Sequence, residues 1–216
     1  MKAKDFIAMA LKAAKSSTIY DNTPGYNIGN WDGNYFHFDC TGLIKAILWG
    51  WNGGDGSLQY IDKNGRITNG VADFSTETMY QYCSGGLSTD FSTIVPGEVL
   101  WMPGHAGIYI GKNESGTPLV VESTHNNVNN IHKVYITKIA SNYDVRQEPY
   151  CLNLWVSHGK LTSYIDYSDI TNENINYSIT TEKIDLNQED INLTDFQDEK
   201  TIIFTFRDSN PIKYTI

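Results

Sequence analysis

The chain has 216 residues, 40% hydrophobic, 12% aromatic and 19% charged, the composition of a folded protein with one sizeable core and room for a small appendage. A formal net charge of −9 would repel phosphate backbones, and there is no basic run or basic patch interleaved with aromatics, so nucleic acid is a poor partner. No stretch reaches the roughly 20 consecutive apolar residues of a membrane span, since even LIKAILWGW carries Lys45.

The opening MKAKDFIAMALKAAK imitates an export signal, but FIAMAL is short and Lys12 and Lys15 interrupt the residues after it. Its spacing predicts an amphipathic helix with Phe6, Ile7, Leu11 and Ala14 along one face. Residues 16–38 are rich in Gly, Asn, Asp and aromatics and predict a long surface loop. From Cys40, CTGLIKAILWGW runs apolar with helical spacing until Asn52-Gly53-Gly54, which places Cys40 at or beside a helix N-terminus.

QYIDKNGRITNG predicts a hairpin turning at Asp62-Lys63-Asn64-Gly65. DFSTETMYQYCSGG predicts a short helix capped by Asp73 or Ser75 and ended by Gly85-Gly86. GEVLWM, HAGIYIG, PLVVEST, KVYITKIA and YCLNLWV come next as strands, so helices precede an antiparallel sheet, an α+β order. Beyond about Tyr167 the composition shifts to Asp, Glu, Asn, Thr and Ile. Residues 168–216 form a separate acidic appendage, with TIIFTF and IKYTI as strands.

Three cysteines, Cys40, Cys83 and Cys151, are too few and too far apart for a disulfide framework or a metal knuckle. Cys83 and Cys151 fall in apolar contexts and read as packing residues. A cysteine acts as a nucleophile only as thiolate, which unpaired N–H groups at a helix start stabilise, and Cys40 is placed for that. Such a thiolate needs an imidazole, and His105 opens a strand directly after Pro103-Gly104. His37, His125 and His132 lie in contexts that read as loops. A third group must orient the imidazole. If HAGIYIG and PLVVES pair with an odd sum of residue numbers, Glu122 shares the His105 face; Ser123, His125 and Asn126 are alternatives. Trp49, Trp51 and Trp101 read as core or groove-wall aromatics. No metal-ligand pattern is present, and no cofactor is implied.

FDCTGL before a Trp-containing helix, then PGEVLWM, GHAGIYIG and VVES in that order, resembles the NlpC-type cell-wall cysteine peptidases, a compact papain-like family related to the CHAP amidases. The resemblance covers roughly residues 1–165, and it implies a catalytic domain over 1–167 in which N-terminal helices pack on a central antiparallel sheet. It implies Cys40 as nucleophile, His105 as base, Glu122 in the third position, and no metal. Asp39 and Thr41, which stands where the family has serine, would bind a substrate amine. A family tyrosine upstream of the nucleophile falls at Tyr20, Tyr26 or Tyr35. The activity implied is hydrolysis of amide bonds in peptidoglycan stem peptides. A muramoyl-alanine amidase, another amide-processing enzyme, or an idle subunit of a phage particle are the alternatives. Without an export signal, the expected setting is synthesis in the cytoplasm and release by lysis or carriage on a phage particle.

Overall fold

A computed structural model describes residues 1–25, 27–54, 68–112, 116, 118–126, 131–138 and 155–170, with three further strands at 178–179, 202–205 and 212–214. The predicted hairpin at 62–65, Tyr26 and Cys151 lie outside the described residues.

The first helix, α1, is Ala3–Lys15, with Asp5 in its first turn and Lys12 and Lys15 in its last, the charge order a helix dipole favours. It buries Ala3, Phe6, Ile7, Ala10, Leu11 and Ala13, and Ala14 packs half-buried against the same core. The second helix, α2, is Cys40–Trp49, and all ten of its residues are buried. A helix apolar on every side belongs inside a core. Its one cation, Lys45, pairs with Asp73 at 2.5 Å. Gly50 ends the helix in the left-handed conformation, φ 107°, returning its N–H to Ala46 and Ile47.

Residues 16–38 are not a plain loop: β1 (Thr18–Tyr20), β2 (Ile28–Trp31) and β3 (Phe36–Phe38) form a three-stranded sheet in the order β1-β3-β2. The β1 and β3 strands pair in parallel and β2 antiparallel to β3, with an irregularity between Ile28 and Asn30. Phe36 and Phe38 meet Trp51 edge-on at 5.4 and 5.3 Å, which anchors this sheet to the end of α2.

The larger sheet has five antiparallel strands in the order β7-β6-β5-β4-β8, where β4 is Val99–Met102, β5 His105–Lys112, β6 Pro118–Asn126, β7 Ile131–Lys138 and β8 Ser157–Gly159. Most of the YCLNLWV segment expected as the last strand, residues 150–154, lies outside the described residues, and β8 follows directly after it. One face, through Val99, Ala106, Ile108, Ile110, Leu119, Val121 and Val134, joins α1 and α2 in the main core. The other gathers Leu100, Tyr109, Val120 and Trp155. Residues 73–86 hold a 3-10 turn at Met79–Tyr82 and not a capped α-helix, because Asp73 is engaged by Lys45 and Thr78, the residue before the turn, makes no side-chain cap.

Residues 164–170 close the unit. The Met1 ammonium donates to the Tyr164 carbonyl at 2.9 Å, Lys2 pairs with Asp166 at 2.5 Å, and Asp169 accepts from the Lys4 N–H. In the C-terminal stretch, β9 (Ser178–Ile179), β10 (Ile202–Thr205) and β11 (Ile212–Tyr214) form an antiparallel sheet in the order β11-β10-β9; TIIFTF and IKYTI supply two of its strands. The described chain is α+β, and among its described residues no helix is long and apolar enough to cross a membrane.

Candidate active site

The strand β3 delivers the chain directly into α2 through Asp39, whose side chain caps the helix by accepting from the Gly42 N–H. The other Asp39 oxygen accepts from the Asn27 amide, and the Asn27 carbonyl accepts from the Asp39 N–H. Gly42 is required by this packing: a Cβ there would lie 1.9 Å from the Asn27 carbonyl oxygen. The first two helix N–H groups, those of Cys40 and Thr41, have no acceptor among the described residues, and the Cys40 side chain sits beside them, 8% exposed.

His105 is the first residue of β5 and also 8% exposed. Its Nε2 meets the Glu122 Oε2 at 2.5 Å, and the Cys40 thiol lies near enough to favour the protonated ring. The register that pairs Ile108 with Val121 and Tyr109 with Val120 has the odd sum, so Glu122 lies on the His105 face, diagonal to it. Glu122 is fully buried and its second oxygen accepts from the Thr137 hydroxyl at 2.6 Å. The face of the imidazole stacks on Trp155, with centroids 5.3 Å apart and planes 20° from parallel. Gly107 makes room for that indole, since a Cβ there would lie 2.8 Å from it. Burial of the ring opposes protonation of His105. The hydrogen bonds and negative charges of Cys40 and Glu122 outweigh it and raise His105 to about 10.

The other four histidines are engaged elsewhere and all stand on strands, including the three, His37, His125 and His132, expected in loops. His37 on β3 places its two ring nitrogens 2.7 and 2.9 Å from Asp21 and Asp32. His125 on β6 and His132 on β7 are cross-strand partners with their Nδ1 atoms 2.9 Å apart. His158 on β8 forms a second buried pair with Glu98, in the neighbourhood of Cys83. That constellation is not equivalent to the first: one His158 nitrogen is bound to Glu98 and the other to the Asp90 carbonyl, leaving none for a thiol. Burial and the Glu98 charge push Cys83 up to about 12, as a packing cysteine requires. Trp49 and Trp51 are likewise core residues, 3% and 1% exposed.

Of the alternatives to Glu122, Ser123 faces the opposite side of the sheet and donates to the Phe38 carbonyl at 2.8 Å. The Thr41 hydroxyl, on a residue 4% exposed, donates to Asp39, so both motif residues brace the helix start. Tyr20, at the end of β1, is pushed up to about 12 by burial and by the charges of Cys40, Asp39 and Asp21, and therefore keeps its phenolic proton. Tyr35 is exposed on the surface. Tyr20, Asp21, Asn22 and His125 line an open depression of about 430 Å³. Three contributors carry no signal in the sequence: Asn27, Trp155 and Thr76, whose hydroxyl lies 3.7 Å from the Cys40 sulfur. Among the described residues no group of three or more His, Cys, Asp or Glu is arranged to hold a metal ion.

Compared with protein-family models, curated proteins and solved structures, the chain matches none.

Proposed function

We propose that the chain is a papain-like cysteine peptidase that hydrolyses amide bonds in the stem peptides of bacterial peptidoglycan, with residues 168–216 as a small β-rich appendage. The observation that carries the reading is His105 held against the buried Glu122 carboxylate and within the electrostatic reach of the Cys40 sulfur, which sits at a helix start. The peptidoglycan substrate comes from the resemblance of the FDCTGL and GHAGIYIG strings to NlpC-type enzymes.

In this mechanism the Cys40 sulfur, paired with the imidazolium of His105, attacks the carbonyl carbon of the scissile amide. Negative charge then develops on the carbonyl oxygen, where the unpaired N–H groups of Cys40 and Thr41 stabilise it. Donors of that kind are worth about 2.7–4 kcal/mol in other acyl-transfer sites. The tetrahedral adduct collapses as His105 gives its proton to the leaving amine, forming a thioester. Water, deprotonated by the now neutral His105, hydrolyses the thioester and restores the thiol. Glu122 keeps the ring oriented with one nitrogen toward sulfur, and Trp155 prevents it from swinging away. Asp39, braced by the Thr41 hydroxyl, and Tyr20 form the wall that meets the free amine of the substrate.

Purified cell wall treated with wild type and with Cys40→Ala tests this reading by turbidity and by mass spectrometry of the released products. New amines on stem-peptide residues, formed by wild type alone, are expected. A new amine confined to the first alanine would instead identify an amidase, and equal clearing by both proteins would end the cysteine-hydrolase reading.

A further inference from the structure

We infer that Thr76 donates a hydrogen bond to the Cys40 thiolate and is held in place for this by Trp101, which makes it a tuning residue of the nucleophile. The inference rests on Cys40 being the reactive sulfur, but not on the identity of the substrate. Thr76 is 7% exposed, and a hydroxyl so buried needs a partner. Its partner is the Cys40 sulfur at 3.7 Å, an ordinary separation for a hydrogen bond involving sulfur. Either atom can donate while sulfur carries its proton. Once that proton is on His105, the sulfur can only accept, and the hydroxyl becomes the donor.

The position of Thr76 is fixed from two sides. Its backbone carbonyl accepts from the Trp101 indole N–H at 2.9 Å, which ties it to β4. Three residues earlier, Asp73 is paired with Lys45, which ties the same segment to α2. Directly before Thr76, the Ser75 carbonyl accepts from the Met79 N–H at 2.9 Å, which holds the segment against the start of the 3-10 turn. The segment 73–76 is therefore clamped between the nucleophile helix and the histidine sheet. Trp101, read from sequence as core or groove wall, is in this arrangement a positioning residue that acts through Thr76.

Iodoacetamide alkylation, followed on the peptide that carries Cys40 across a pH series, tests the inference without any cell-wall substrate. Thr76→Val keeps the shape and removes the donor; it is expected to slow alkylation near neutral pH about tenfold and to move the profile to higher pH. Thr76→Ser restores the hydroxyl and is expected within about twofold of wild type, with Trp101→Phe intermediate between wild type and Val. A Val variant, folded by circular dichroism, whose profile overlays wild type would overturn the inference. So would a Ser variant as slow as Val, since packing of the methyl group would then explain the effect, or a wild-type Cys40 no faster than free cysteine. A wild type inert on cell wall but showing the Thr76 dependence would refute the proposed substrate while supporting the role of Thr76.

Discussion

Gly42→Ala places one methyl group where the structure has least room for it. The added Cβ would sit 1.9 Å from the Asn27 carbonyl oxygen, 2.9 Å from an Asp39 carboxylate oxygen and 3.0 Å from the Asn27 carbonyl carbon. Real Cβ atoms essentially never come within 3.0 Å of such neighbours, so helix and loop must separate by roughly 1 Å. That movement breaks the bond from the Asp39 N–H to the Asn27 carbonyl and pulls the Asn27 amide off the capping carboxylate. Losing a helix cap costs about 0.5–2 kcal/mol, and overpacking a tight contact about 1–3 kcal/mol. The expected total is about 2–4 kcal/mol, large against the 5–15 kcal/mol typical of a domain. Chemical denaturation of wild type and variant measures the stability, and alkylation of Cys40 measures whether the sulfur has left its place. A variant within about 0.5 kcal/mol of wild type with unchanged alkylation would show that Asn27 does not lock the helix start.

Glu122→Gln keeps the shape of the buried acceptor and removes its charge; hydrogen bonds to charged groups are worth about 1.5–3 kcal/mol, so kcat/KM should fall about 10- to 100-fold, and an undiminished value would remove Glu122 from the site. His105 has a folded value, about 10, above its ordinary 6.5, so the charged ring stabilises the fold fully below pH 6.5 and this contribution is lost as pH rises toward 10. Wild type should therefore lose stability between those limits and Glu122→Gln should lose less; parallel stability curves for the two proteins would contradict the pairing. At neutral pH, iodoacetamide should label Cys40 well before Cys83, whose thiol is buried and pushed up to about 12; prior labelling at Cys83 would contradict the choice between the two buried His–Glu pairs.

Both helices are legible because a core leaves its period in the sequence. Phe6, Ile7 and Leu11 recur at helical spacing, and the run from Leu43 to Trp49, apolar except for Lys45, leaves no solvent face. The strands β4 to β7 announce themselves through Val, Ile and Tyr, and the period of two reduces the placement of Glu122 to a single parity condition that the register satisfies. The strands β1, β2 and β3 are hidden because each has only three or four residues and β1 pairs in parallel with β3 across the intervening β2. His37 resembles a loop residue for the same reason. Asn27, Thr76 and Trp155 leave no trace at all: each reaches the site through a contact remote in sequence, and a single polar or aromatic residue in a connection has no periodicity to read.

In the proposed reaction the Cys40 sulfur becomes acylated by its substrate. Incubating the enzyme with a stem peptide, quenching in acid within the first turnover and weighing the Cys40-containing peptide tests it directly. An added mass equal to the acyl half of the substrate is expected, absent from Cys40→Ala together with all cleavage. Cleavage by Cys40→Ala at the wild-type rate, with no adduct ever forming on the wild-type cysteine, would contradict it.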